Sequence, residues 1–83
     1  MSAMRTLNDI AIGERAVVER LLVHGAMRRR LLDIGLTEGA EVKCLGRSPA
    51  GDPTAYLIRG AVIAIRCEDS REIIVRQEGG TWD

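Results

Sequence analysis

At 83 residues the chain suits one small domain that buries roughly 60% of its unfolded surface, so its core must come from many aliphatic side chains. Twelve basic residues balance twelve acidic ones, phenylalanine is absent, and the aromatics reduce to Tyr56 and Trp82. That argues against a nucleic-acid module, which carries a clustered positive excess or base-stacking platforms.

The opening Met1-Ser-Ala-Met-Arg-Thr is followed by polar residues, without the apolar stretch of a secretory signal. No run approaches the ~20 apolar residues needed to span a bilayer. The cysteines, Cys44 and Cys67, form no CxxC or Cys/His ligand spacing, so a reduced, cytoplasmic protein is expected. Thr6 to Gly13 reads as a lead-in strand or loop, turned at Asn8-Asp9. Glu14 to Val23 is a strand by propensity, but its parity is mixed. Val18 and Leu22 share one face, while Val17, Leu21 and Val23 share the other. Either a bulge shifts the register or both faces are covered.

Residues 25–34 read as a short amphipathic helix, with Met27, Leu31 and Ile34 recurring at i, i+4 and i+7. Gly35 stands where a left-handed residue ends such a helix, and Leu36 then touches Leu31 in a Schellman cap. Thr37-Glu38-Gly39 turns the chain into Ala40 to Leu45, a strand with Ala40, Val42 and Cys44 on one face and Glu41 and Lys43 on the other. Cys44 is thereby expected to be a small core hydrophobe rather than a reactive thiol. Gly46 to Pro53, with two prolines and two glycines, is a loop. Thr54 to Arg59 and Ala61 to Arg66 are strands joined tightly at Gly60, with Ala61, Ile63 and Ile65 on a shared face. Cys67 to Glu72 suits a single 3₁₀ turn. Ile73 to Arg76 closes as a strand, and residues 77–83 are expected to form a mobile polar tail. The sum is mainly β: one domain with a core over about residues 6–76, built as a strongly bent antiparallel barrel whose closure removes its edges.

The order Arg30-Leu-Leu-Asp-Ile-Gly-Leu-Thr-Glu-Gly39, then a strand, then Ser48-Pro-Ala-Gly-Asp-Pro53, then a hairpin and Ile73-Ile-Val75, resembles the FeoA family. These are small cytoplasmic accessory proteins of bacterial ferrous iron transport, and the resemblance runs from about Leu7 to Val75. It implies an SH3-like barrel with an inserted helix. It also implies a non-enzymatic partner of the FeoB membrane transporter, which carries a cytoplasmic GTP-binding domain.

Two kinds of site follow as expectations. For metal, the donors are His24, Cys44, Cys67, Glu68 and Asp69, but iron(II) favours His/carboxylate clusters that one histidine does not supply alone. No cofactor is required on this reading. Weak contact with Fe(II) or another divalent cation falls to His24, Cys67, Glu68 and Asp69, and symmetric self-association would double every donor. For a partner, the expected surface is the helix flank Arg28, Arg29 and Leu32, with Leu36, and the loop residues Pro49, Gly51, Asp52 and Pro53. Each has a plainer alternative. The arginines suit a solvated flank with Arg29 and Asp33 at i, i+4; Leu36 suits a buried cap; Asp52 and Pro53 suit turn chemistry. No P-loop spacing and no nucleophile–base pair is recognisable. The primary expectation is an adaptor that docks on the cytoplasmic side of FeoB, at its GTP-binding domain or its membrane core, and modulates its transport or GTPase activity. The second is a metal-responsive regulatory domain binding a divalent transition metal directly.

Overall fold

The computed structural model describes residues 5–77. The elements are β1 (Arg5–Thr6), a 3₁₀ turn (Leu7–Asp9), β2 (Arg15–Leu21), α1 (Gly25–Asp33), β3 (Glu41–Arg47), β4 (Thr54–Ile58), β5 (Ala61–Ile65), α2 (Cys67–Ser70) and β6 (Ile73–Gln77). All strands join one antiparallel sheet in the order β1-β6-β2-β3-β4-β5.

The mixed parity of β2 is resolved by a bulge. Its pairing with β6 shifts between Val18 and Arg20, so the inward set passes from Ala16 and Val18 to Leu21. A second bulge lies in β3 between Cys44 and Gly46, where Leu45 faces outward at 38% exposure. This strand runs on to Arg47, so the expected loop is shorter than its glycine and proline content suggested and spans residues 48–53. The sheet's inner face carries Val42, Cys44, Tyr56, Ile58, Ile65, Ile73 and Val75, and Leu7, Ile10, Leu31 and Leu36 pack with them.

Three other expectations need correction. The turn before the last strand is one α-type turn, because Ser70 and Arg71 donate to the carbonyls of Arg66 and Cys67, four residues back. The 3₁₀ turn lies instead at Leu7–Asp9, where the Asp9 carboxylate accepts from the backbone N–H of Thr6 at 2.9 Å. The sheet has two edges, β1 and β5, rather than a closed ladder. Side chains span that gap. The Tyr56 hydroxyl donates to the Leu7 carbonyl at 3.2 Å, and Asn8 Oδ1 lies 3.1 Å from Cys67 Sγ and 3.3 Å from Ser70 Oγ. Gln77 belongs to β6 rather than to a tail, and residues 78–83 lie outside those described.

Candidate functional site

Helix α1 ends as the glycine predicts. Gly35 has φ +100°, its N–H donates to the Leu32 carbonyl at 3.0 Å, and the Leu36 N–H donates to the Leu31 carbonyl at 2.9 Å. These are the two bonds of a Schellman cap. Leu36 is 0% exposed within the core, so as a docking residue it is a correction: it seals the cap and presents nothing to a partner. The seal has a second layer. The β4–β5 hairpin turns through Arg59 and Gly60, both at positive φ, which is the signature of a two-residue I′ turn. Arg59 Nε donates to the Gly35 carbonyl at 3.0 Å, and a Cβ at Gly35 would sit 2.5 Å from the Arg59 Cδ.

The rest of the helix flank is open. Arg29 is exposed, Leu32 is 36% exposed, and both line a shallow cleft with Gly25, Arg28 and Asp33. Arg28 is partly committed, since one guanidinium nitrogen donates to the Leu21 carbonyl at 3.0 Å. The loop lies elsewhere. Pro49, Gly51 and Asp52 are exposed and Pro53 is half-buried, but none of the cavities described is lined by both this loop and α1. Asp52 is occupied, because its Oδ1 accepts from the Cys67 backbone N–H at 2.9 Å and so caps α2 from across the fold. No cavity described joins the two halves of the expected surface, and Asp52 has a structural job on its own side.

The metal donors are scattered. His24 is exposed ahead of α1, without a side-chain capping bond. Cys67 and Asp69 are half-buried on α2 beside exposed Glu68, and the Cys67 thiol is engaged by Asn8. Among the described residues no three of His, Cys, Asp and Glu converge. Burial pushes the Cys44 thiol up, in keeping with a core residue rather than a ligand or nucleophile. Desolvation likewise raises the Tyr56 phenol.

The strongest local electrostatics fall outside the predicted residues. Arg5 grips Glu14 through two bonds of 2.7 and 3.2 Å, and the Ala11 N–H donates to the same carboxylate at 2.8 Å. The Arg5 guanidinium, with the Ala11 amide, holds the Glu14 carboxyl below its ordinary range. Sequence reasoning also missed the outer face of the sheet, where Arg15 of β2 stands directly opposite Lys43 of β3. The alternation of β3 had turned Lys43 outward, but only the strand register brings Arg15 beside it.

Comparison with known proteins completes the picture. The FeoA domain model matches residues 5–77. A curated relative, the Fe(2+) transport protein A/Fe(2+) transporter FeoB fusion protein of Porphyromonas gingivalis, is 30% identical over 69 residues. That match takes in 83% of this chain but only 8% of the fusion protein's length. The solution structure of FeoA from Chlorobium tepidum is 33% identical with a TM-score of 0.88, covering 94% of this chain and 74% of that one. FeoA of Stenotrophomonas maltophilia, described as an SH3 domain protein and complexed with zinc, is 28% identical with a TM-score of 0.76, covering 87% and 89%. The small, curled, antiparallel sheet with its inserted helix is thus the SH3-like fold of these proteins, and the chain belongs to the FeoA family.

Proposed function

We propose that the chain is a non-enzymatic adaptor of bacterial ferrous iron uptake. It docks on the cytoplasmic side of a FeoB-type transporter and modulates that protein's transport or GTP turnover. One observation carries the reading: in the Porphyromonas gingivalis relative, protein A and the FeoB transporter are parts of one polypeptide. Covalent linkage holds two domains at effective concentrations on the order of millimolar, so that even a weak contact between them is populated. A separate chain serving the same contact needs a surface that supplies the affinity instead. No helix among the described residues is long and apolar enough to cross a membrane. The adaptor reading places the chain in the cytoplasm, at the inner face of the membrane through its partner.

The zinc in the Stenotrophomonas maltophilia relative favours a second reading, a domain that answers to a divalent metal. With no three donors converging among the described residues, such a site would draw ligands from a second copy or from the partner.

The test is a calorimetric titration of the protein into the cytoplasmic GTP-binding domain of its transporter, with GTP hydrolysis followed in parallel. Saturable binding with a changed hydrolysis rate is the expected result. Absence of binding, together with stoichiometric uptake of iron(II) or zinc by the chain alone, would replace the adaptor with the metal-responsive domain.

A further inference from the structure

The outer face of β2, β3 and β4 gathers cations that, among the described residues, form no ion pair. Arg15 lies directly opposite Lys43, and Lys43 lies opposite Leu57, which in turn faces Val62 of β5. In the next row Arg76 lies opposite Val17, and Val17 opposite Glu41. Residues directly opposite one another share a face of the sheet, so these seven side chains form one surface. Arg59 borders it at the hairpin, anchored through Nε to the Gly35 carbonyl, with its other guanidinium nitrogens available. Arg15, Glu41, Lys43, Leu57, Arg59 and Gly60 line a shallow depression of about 350 Å³ there.

Two features separate this face from an ordinary solvated one. Like charges directly opposite across antiparallel strands are destabilising, so the Arg15/Lys43 pair works against the fold that holds it. Among the described residues the ion pair is Arg5–Glu14, and none of Arg15, Lys43, Arg59 and Arg76 is so paired. On a chain of zero formal charge, Arg15, Lys43, Arg59 and Arg76 around Glu41 are a local concentration of charge, with Glu19 and Arg20 exposed further along β2. Exposed Val62, at 64%, adds apolar area at its border.

From this arrangement we infer that the outer sheet face of β2–β4 binds an acidic peptide segment of a partner protein, with two or more carboxylates seated between Arg15, Lys43 and Arg59. Arginine forks engage carboxylates bidentately, and the lysine adds a point charge. A flat anionic membrane fits less well, because Glu41 in the middle of the patch would be pressed against like charge. A peptide can bring a donor to it. The inference rests on the adaptor reading, where the segment belongs to the transporter's cytoplasmic part.

The experiment has two arms that fail separately. In the first, an octapeptide alternating Glu and Val is titrated into the isotope-labelled full chain and followed by NMR. Shifts are expected at Arg15, Lys43, Leu57 and Arg59, weakening as salt is raised towards physiological strength and above. The double variant Arg15→Gln/Lys43→Gln should bind about tenfold more weakly, as loss of two charge-assisted contacts requires. That variant also relieves the like-charge pair, so its melting temperature should rise while its affinity falls, which mere structural damage does not produce. Shifts confined to the α1 flank, or no shifts, would overturn the inference. So would tighter binding to phosphatidylglycerol vesicles than to the peptide, lost in the same variant, which would reassign the face to lipid. In the second arm the same variant is titrated against the transporter's GTP-binding domain. Binding retained at full strength overturns the sheet face and leaves the adaptor standing. If the wild type ignores that domain while the peptide maps to the sheet, the acidic-segment surface stands and the adaptor reading falls.

Discussion

The chain makes two glycine-bearing turns that look alike in sequence and behave differently in the fold. The first, Gly35 to Gly39 after α1, is sealed from within: Leu36 enters the core and Arg59 closes over the Gly35 carbonyl. The second, residues 48–53, is fastened from outside, with Asp52 holding the first N–H of α2 and the Ser48 and Pro53 backbones bonded to each other at 3.0 Å. One turn adds buried apolar area to its hydrogen bonds, and the other is held by hydrogen bonds at the surface. The first should therefore be intolerant of substitution and the second only moderately sensitive.

The largest effect expected is at Leu36. Leu36→Ser removes a fully buried side chain and leaves a hydroxyl among apolar atoms, so urea denaturation should register a loss of about 3–5 kcal/mol. A loss below about 1 kcal/mol would mean that the cap is not part of the core. Gly35→Ala comes next. Its left-handed backbone alone costs about 1–2 kcal/mol for a residue with a Cβ, and the displaced Arg59 side chain adds to that. About 2 kcal/mol in all is expected. On the other turn, Asp52→Ala frees one cap and should cost about 1 kcal/mol, read as a lower melting temperature, with Asp52→Asn retaining most of it.

The smallest effect concerns Glu14. Its carboxyl titrates lower in the folded chain, so the contribution of the Arg5 contact is present above the ordinary glutamate range and is lost as pH falls through the depressed value. Both side chains are partly exposed, which limits this to under about 1 kcal/mol. A Glu14→Gln variant should flatten that part of the acid limb of the stability curve. At the alkaline end the sign reverses. Buried Cys44 and Tyr56 titrate above their ordinary values, so stability should decline as pH rises past the usual thiol range.

These differences also mark how far the residues could be read alone. The α1 register, its glycine stop and the Leu36–Leu31 contact were legible because they depend on neighbours within one turn. The β2 bulge was half legible: mixed parity announced it, but only pairing with β6 located it between Val18 and Arg20. The Asp52–Cys67 bond and the Arg15/Lys43 pair were not legible. The first joins a loop to α2 fifteen residues on, and the second depends on a strand register that no local pattern specifies. The closure of the sheet by Asn8, Tyr56 and α2 was hidden for the same reason.

On this reading, holding the fold and holding a partner fall to different residues. Melting temperature and affinity for the transporter's GTP-binding domain, measured side by side on Asp52→Ala and Arg15→Gln/Lys43→Gln, separate the two roles. Opposite behaviour is expected: the first melts lower and binds as the wild type does, and the second melts higher and binds about tenfold more weakly. Loss of affinity in Asp52→Ala, or full affinity in the sheet variant, would contradict it.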